Sequence, residues 1–328
     1  MKISIVVPTY KRAGVLRAAL DQLLSQTLTD FELLVMDDGS PDETAQIVAR
    51  IQDPRLHYHR HQHLGVPQIV IEGMLLARGE YLIVCHDHDL YHPELLEELA
   101  GALDRHPSAS FAHSGVIIID PTGSKEIARY IPDYPELSKG QHFLEQHLLP
   151  GIASPITGMT LIRRSALEGR FLDPRFGPCA DVELWLRLCR VGDVAYVKRP
   201  LLKLRERDAS SEFFHRSVEL AQLPLSAKRL YLRYVPQHQQ HQIRLTWQRE
   251  VDRTGLALML RALEHQADGR VSEVLDLVRA EGSRGGMLAM QLLRRIPRPA
   301  TLQALRSARW VTHRLREMKL NLASGEGV

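Results

Sequence analysis

Two carboxylates stand one residue apart in the segment His86-Asp87-His88-Asp89, directly after an apolar run. Alternate positions at the end of an extended segment can bring two side chains into one small region. Carboxylate oxygens that leave coordination places for water and phosphate suit Mg²⁺ or Mn²⁺, and such a cation neutralises the charge that develops when a diphosphate departs. The alternative is that Asp87 and Asp89 only cap the helix predicted near Pro93. Taken alone, the two acids leave both interpretations open.

Acids at two other places are candidates for the same chemistry. Asp37 and Asp38 follow a second apolar run, and an acid at the end of a strand can accept hydrogen bonds from a nucleoside base or a ribose. An Asx turn completed by Gly39 is the alternative, which would make one of these acids structural. Asp181 stands near the start of a predicted amphipathic helix. It is a candidate general base for an attacking hydroxyl, with helix capping as the alternative.

Histidines surround these acids and also alternate along one short segment, at His57, His59, His61 and His63. A strand would place all four on one face, which is a pattern that can bind zinc. An exposed edge strand is the interpretation we favour, because no group that would orient the rings is evident in the sequence. His88, the middle residue of the Asp-X-Asp segment, is expected to face away from a metal held by its neighbours.

Strands and helices must position these residues. Four apolar runs alternate with helical segments over the first hundred residues and are predicted to be strands: Ile3–Val7, Phe31–Met36, Leu56–His61 and Tyr81–Cys85. Alternation with short connections predicts a doubly wound α/β sheet. In such sheets ligands bind off the carboxyl ends of the strands. Both acidic clusters follow such ends, so we expect them at one edge of the sheet.

The pattern changes near residue 213. Strand-like runs occur as late as Met159–Ile162, whereas helical segments dominate after about Phe213. We therefore predict one α/β domain over residues 1–212 and a helical C-terminal domain over residues 213–328.

The composition is that of an average globular protein, with 44% hydrophobic and 25% charged residues. Three cysteines without a CxxC spacing argue against a disulfide framework or a thiolate zinc site and favour a reducing compartment. The apolar run Ile3–Val7 is too short for the core of a signal peptide, and no stretch approaches the roughly 18 apolar residues of a membrane span. The expectation is a cytoplasmic protein, or one attached to a membrane from the cytoplasmic side.

Basic residues concentrate near the C-terminus. Between Arg284 and Leu320 nine lysines and arginines face one acid, Glu317. Apolar residues recur there at helical spacing, which predicts a basic amphipathic helix that can lie in an anionic membrane interface. Packing on the same domain or on a second subunit of a homo-oligomer is the alternative. Nucleic acid is not an expected partner, since no DNA- or RNA-binding motif is present.

Four segments, taken in order, resemble family 2 glycosyltransferases. Val6–Arg12 and Ser25–Ser40 resemble the opening of that family, and Ala77–Asp89 resembles the stretch that leads into its Asp-X-Asp motif. Ile162–Leu167 resembles the family's acceptor-side segment, and Asp181–Arg187 resembles the helix that carries its catalytic base. The resemblance covers about the first 205 residues. It implies the GT-A fold, an α/β nucleotide-diphospho-sugar transferase domain with a Rossmann-like mixed sheet, here followed by a helical appendage.

The resemblance also implies a role for each acid. Asp38 would bind uracil or another base, Asp87 would approach the ribose and the metal, and Asp89 would hold the Mn²⁺ or Mg²⁺ that bridges the diphosphate. Asp181 would be the base of a single displacement that inverts the anomeric centre. The nucleotide pocket would be lined by Pro8, Thr9 and Tyr10.

The activity implied is a hexosyltransferase-like, metal-dependent transfer of one sugar from a nucleotide sugar, for which UDP-sugars are expected. The acceptor would be a saccharide or a lipid-linked hydroxyl, as in bacterial surface-polysaccharide assembly. The Gln-X-X-Arg-Trp signature of processive synthases is absent, which favours single additions.

Three departures from the family pattern leave an alternative open. The region Val70–Gly73 lacks the Arg-Asn pair that members often have, Ala180 precedes the expected base where many members have an acid, and Arg207 stands where many have a histidine. The alternative is a catalytically silent GT-A module that acts as a membrane or assembly partner. A nucleotidyltransferase is a third possibility, which Asp181 and its helix fit poorly.

Overall fold

The computed structural model describes residues 1–151, 154, 156, 159–206, 219–264 and 268–295. The chain divides into two compact units, one of Met1–Phe214 with Leu223–Gln240 and one of His215–Gln222 with His241–Val328. The predicted boundary between residues 212 and 213 falls in 207–218, outside the described residues, and stays a prediction. Most of the predicted basic helix, from residue 296 onward, also lies outside them.

The first unit is built on one mixed sheet, which confirms the predicted fold class. Its strands and helices are, in chain order, β1 Ile3–Thr9, α1 Ala13–Leu24, β2 Phe31–Asp37, α2 Thr44–Ala49, β3 Leu56–Arg60, α3 Gln68–Leu76, β4 Tyr81–Val84, β5 Leu90–Tyr91, α4 Leu95–Arg105, β6 Ala109–Ile119, β7 Glu126–Tyr130, β8 Leu137–Ser138, α5 Gly140–Phe143, β9 Leu161–Arg163, α6 Ala180–Val191 and β10 Asp193–Arg205. Helix α7, Glu219–Tyr231, belongs to this unit from Leu223 onward. Short 3₁₀ or π turns cover Leu144–Leu148, Arg164–Leu167, Pro174–Cys179 and Leu232–Tyr234.

The strands lie in the order β3-β2-β1-β4-β9-β6-β10-β5, with β7 paired to β6 and β8 to β10. Strands β1 to β4 are mutually parallel, whereas β9 runs antiparallel to both β4 and β6. Side chains of β1 are buried on both faces, as the apolar run Ile3–Val7 requires. Buried residues of α1 and α4 belong to the same core as those of β1.

Gly79 connects α3 to β4 at a point where the backbone of β1 passes close by. A Cβ at this position would lie 2.6 Å from Ser4 N and 2.7 Å from the Ile3 carbonyl carbon. The Gly79 amide also donates to Ser4 Oγ over 2.8 Å. Only glycine therefore allows this approach without a shift of the strand.

We expect Gly79→Ala to lower the free energy of unfolding by about 1–3 kcal/mol, the usual cost of overpacking. Gly14→Ala in α1 is the matched control, because a Cβ there meets nothing within 4 Å and alanine stabilises a helix interior by roughly 0.5–1 kcal/mol relative to glycine. Denaturant unfolding measures both variants. Equal midpoints for Gly79→Ala and the unsubstituted protein would contradict the packing described.

The second unit contains helices, of which α8 Gln237–Glu264 begins in the first unit, α9 spans Asp268–Glu281 and α10 spans Arg284–Arg295. Asp252 of α8 accepts hydrogen bonds from the amide and the hydroxyl of Ser283, over 3.0 and 2.6 Å, just before α10 begins. Among the described residues, helices that combine the length and the apolar character needed to cross a membrane are absent.

Candidate active site

The predicted acids meet at one edge of the sheet. Strands β2 and β4 both pair in parallel with β1, so their carboxyl ends lie side by side. Asp38 follows β2 directly and its amide donates to the Thr9 carbonyl over 2.9 Å. The segment His86–Asp89 follows β4. The expectation that the two acidic clusters share an edge is therefore confirmed by the topology.

The carboxylate of Asp38 is buried and holds a neighbouring loop. It accepts hydrogen bonds from the amides of Leu64 over 2.6 Å and Gly65 over 3.0 Å, and His63 Nδ1 lies 2.8 Å from its Oδ2. Asp37 accepts from the amide of Ser40 over 2.8 Å, one residue farther along the chain than in the Asx turn that was the alternative. Both acids thus have structural contacts, and binding of a base by Asp38 stays a prediction.

An aromatic platform lies beside Asp38. Tyr10 stacks on His63 with ring centroids 4.3 Å apart, and Lys11 Nζ lies 5.0 Å from the Tyr10 ring centroid. Thr9 is buried and its Oγ1 has no hydrogen-bond partner among the described residues, while Pro8 is half-buried. No local pattern indicates that His63 belongs to this group, because it lies beyond the end of β3 and shows only an alternation with other histidines.

The segment after β4 forms a compact cluster of imidazoles and carboxylates. His86 Nδ1 lies 2.8 Å from Asp89 Oδ2, and His88 Nδ1 lies 2.9 Å from Asp87 Oδ1. The second nitrogen of His88, Nε2, lies 4.0 Å from Asp89 Oδ1. His88 thus lies near both carboxylates, and the expectation that it faces away from a metal held by them stays a prediction. In the described part of the chain, the group with ligand atoms close enough to hold a metal is His86, His88 and Asp89, all within 4.8 Å of one another.

Strand β10 fixes this cluster from the other side. The Arg205 amide donates to Asp89 Oδ1 over 2.7 Å, and its Nε donates to the His88 carbonyl over 3.0 Å. Burial raises the pKa of Asp89, but the contact with His86, the nearby imidazole charges and the Arg205 amide outweigh it and lower that pKa overall. Asp89 is therefore a carboxylate at neutral pH. Arg207, which the sequence places where a histidine is common, lies outside the described residues.

Asp181 occupies the first turn of α6, which begins one residue earlier than predicted. Its Oδ1 accepts a hydrogen bond from the Val182 amide over 2.8 Å. Burial raises the pKa of Asp181, and the Val182 amide and the charge of His86 partly offset this rise. The residue is nevertheless exposed, so water reaches it.

A buried polar group on α6 connects this helix to α7. Glu183 lies 3.4 Å from Arg187 and accepts a hydrogen bond from Tyr231 Oη over 2.6 Å. The Arg187 guanidinium donates in turn to the carbonyls of Arg170 and Phe171. Burial, together with the contact to Glu183, raises the pKa of Tyr231, so its hydroxyl stays protonated and donates. Trp185, predicted to brace the helix, is buried and donates to Thr160 Oγ1 over 3.2 Å.

Removing the Tyr231 hydroxyl leaves the buried Glu183 carboxylate with one donor fewer. We expect Tyr231→Phe to lower the free energy of unfolding by about 1–3 kcal/mol. Tyr234→Phe is the matched control, since Tyr234 is exposed and its ring packs against Arg190. Denaturant unfolding distinguishes the two variants. A Tyr231→Phe variant as stable as Tyr234→Phe would show that the hydrogen bond contributes nothing.

Comparison with known proteins gives concordant results. The sequence profile described as Glycosyl transferase family 2 matches residues 4–171. An uncharacterized glycosyltransferase of Rickettsia typhi is 28% identical over 212 residues, which cover 64% of this chain and 65% of that protein. A PGL/p-HBAD biosynthesis glycosyltransferase of Mycobacterium bovis is 37% identical over 119 residues, which cover 35% of this chain and 46% of that protein. The chain thus spans less than two thirds of the length of either relative.

Solved structures support the fold. The crystal structure of S. aureus TarS 1-349 has a TM-score of 0.54 at 18% sequence identity and covers 85% of this chain and 89% of that chain. The complex of the same TarS fragment with UDP-GlcNAc has a TM-score of 0.53, also at 18% identity, and covers 85% of this chain and 90% of that chain. At this identity the likeness confirms the predicted GT-A fold and carries no argument about substrates.

Proposed function

The chain belongs to glycosyl transferase family 2, and from that premise we propose that it is an inverting glycosyltransferase that adds single sugars. The donor is a nucleotide-diphosphate sugar, and the acceptor is a hydroxyl of a saccharide or a lipid-linked saccharide. The observation that carries the proposal is the imidazole–carboxylate cluster that follows β4, at the carboxyl end of a parallel strand. Burial raises the pKa of Asp181, the candidate base on α6, and the charge of His86 of this cluster lowers it.

The donor side consists of the residues around the ends of β1, β2 and β4. Asp87 and Asp89 would hold a divalent cation, Mn²⁺ or Mg²⁺, which would supply the positive charge that a departing diphosphate requires. Pro8, Thr9, Tyr10 and Asp38 line the pocket for the nucleoside. UDP is the nucleotide we propose, as the resemblance to the family implies; the TarS fragment, which shares the fold, was solved in complex with UDP-GlcNAc.

On the acceptor side, Asp181 is the general base. It takes the proton of the acceptor hydroxyl while that oxygen forms a bond to the anomeric carbon. The bond between the anomeric carbon and the nucleotide diphosphate breaks on the opposite side, so the configuration inverts and the diphosphate leaves with the bonding electrons. A raised pKa makes Asp181 a stronger base than a fully solvated carboxylate.

The setting we propose is assembly of a bacterial surface glycan at the inner face of the membrane. The mycobacterial relative is named for PGL/p-HBAD biosynthesis, which supports a part in biosynthesis. Contact with anionic lipid would come from the basic segment between Arg284 and Leu320, most of which lies outside the described residues. A second copy of the chain is the other partner that this segment would suit.

A donor screen tests the proposed function. Thermal shift with a panel of nucleotide sugars, in the presence of Mn²⁺ and then of EDTA, reports binding, because a ligand of the native state raises its stability. Release of free nucleotide diphosphate reports transfer to acceptor or to water. We expect at least one UDP-sugar to bind and to be consumed only with metal present. If no donor binds or is consumed, the silent-module alternative replaces the enzyme.

A further inference from the structure

His88 lies between the two carboxylates of the Asp-X-Asp segment and faces each through a different ring nitrogen. Its Nδ1 is 2.9 Å from Asp87 Oδ1, and its Nε2 is 4.0 Å from Asp89 Oδ1. A metal-bound histidine almost always donates its other ring N–H to a carboxylate or a carbonyl, which fixes the tautomer and aims the free nitrogen at the metal. Asp87 is placed to accept the hydrogen bond from His88 Nδ1, and the lone pair of Nε2 then lies on the side of Asp89.

The separation of these atoms fits one cation. Two ligands with bonds of about 2.1 Å to the same metal lie at most about 4.2 Å apart. The 4.0 Å between His88 Nε2 and Asp89 Oδ1 falls within that limit. His86, half-exposed and stacked on His88 with ring centroids 5.3 Å apart, also offers a nitrogen within 4.8 Å of the other ligand atoms.

The charges of the site also favour a cation. Asp87 and Asp89 are buried, and within the described ranges the ion-pair partners of both are imidazoles. The guanidinium of Arg205, whose amide donates to Asp89, donates instead to the carbonyls of His88 and Pro121. Buried carboxylates are costly unless a positive charge or a metal compensates them.

We propose that His88 and Asp89 bind the cation directly, that Asp87 orients His88, and that the site therefore selects a first-row transition cation over Mg²⁺. This inference rests on the proposed function, because it places the cation at the same segment. It differs in the role of Asp87, which here orients His88 instead of binding the cation. Mg²⁺ takes oxygen ligands and loses water reluctantly, whereas imidazole suits later first-row cations. A mixed imidazole–carboxylate set favours Co²⁺ strongly and Mn²⁺ modestly.

Metal binding to the full chain, without donor or acceptor, tests the proposal. Pulsed EPR on the Mn²⁺-loaded protein detects hyperfine coupling to imidazole nitrogen, and calorimetry gives the dissociation constants of Co²⁺, Mn²⁺ and Mg²⁺. We expect nitrogen coupling and at least about tenfold tighter binding of Co²⁺ than of Mg²⁺. His88→Asn keeps an amide near the Nδ1 position facing Asp87 but removes Nε2. It should weaken or abolish the nitrogen coupling and bring Co²⁺ affinity close to that of Mg²⁺.

Asp87→Asn tests the orienting role, and we expect it to weaken Co²⁺ binding about 10- to 100-fold, the usual effect of removing such a partner. His142→Asn and His57→Asn are matched controls on the surface and on the β3 edge, and both should bind as the unsubstituted chain does. Oxygen-only coordination in the EPR spectrum, or unchanged Co²⁺ selectivity in His88→Asn, would overturn the inference. Such a result would not bear on whether the chain transfers sugar. Nitrogen coupling without any sugar transfer would contradict the proposed function and leave this inference standing.

Discussion

Asp181→Asn is expected to lower kcat for sugar transfer by about 10²- to 10⁴-fold, the range that a general base contributes, while the dissociation constant of the donor changes little. Asparagine keeps the shape of the side chain and can still accept from the Val182 amide, which donates to Asp181 over 2.8 Å. It cannot take the proton of the acceptor. Initial rates and donor binding, measured on the same preparations, separate the two effects.

Stability gives a second readout of the same variant. Because burial raises the pKa of Asp181, the folded state holds this proton more tightly than the unfolded state. Its contribution to stability is therefore present below the unfolded pKa and is lost as pH rises through the folded pKa. At neutral pH, Asp181→Asn removes a charge whose formation the folded state disfavours, and should raise the unfolding midpoint. A less stable variant would instead mean that Asp181 has a structural role.

The activity of the unsubstituted chain should fall at low pH, as the raised pKa of Asp181 predicts. The base acts only when it is deprotonated, so kcat/KM falls as pH falls through the raised pKa of Asp181. Asp133→Asn is the matched control, because Asp133 is exposed and pairs with Lys198. It should leave the rate and the profile unchanged. The same loss of rate in the control would show that the effect of position 181 is not specific.

Asp89→Asn is expected to abolish the metal-dependent part of donor binding and to lower kcat/KM by roughly 10²-fold or more, since a bound cation supplies several kcal/mol of transition-state stabilisation. Asparagine retains an oxygen that can accept from the Arg205 amide, which otherwise donates to Asp89 over 2.7 Å. The fold around the cluster should therefore persist. Titration of donor in Mn²⁺ and in EDTA measures the loss.

The comparison with EDTA makes this second prediction decisive. Donor affinity of Asp89→Asn in Mn²⁺ should equal that of the unsubstituted chain in EDTA, because both lack the bound cation. Asp133→Asn again serves as the control and should keep its response to metal. If Asp89→Asn binds donor with the full metal effect, the cation lies elsewhere.

The sequence was sufficient to predict the elements that carry the acids. Apolar runs such as Ile3–Val7 correspond to β1, and the acids that follow β2 and β4 do lie at one edge. Short apolar runs closed by acids are local patterns that a buried parallel strand satisfies, so these strands can be predicted from neighbouring residues alone. The order β4-β9-β6 could not be predicted, because the short antiparallel β9 is fixed by pairing with strands distant in the chain.

The contacts between side chains in the site also could not be predicted from the sequence. Nothing local shows that Asp38 holds the amides of Leu64 and Gly65, or that His88 faces both of its neighbouring acids. Such contacts depend on rotamers that the surrounding fold selects. The role of Tyr231 was hidden for a different reason, since its helix follows the change in composition that marked the predicted boundary, yet it contacts Glu183 of α6.

The configuration of the first product tests the central claim most directly. Proton NMR of the sugar released from an α-linked UDP-sugar in Mn²⁺, recorded before the free sugar equilibrates, shows which anomer forms first. A single displacement assisted by Asp181 predicts the β anomer. Release of the α anomer first, or no release from any UDP-sugar that binds, would contradict the account.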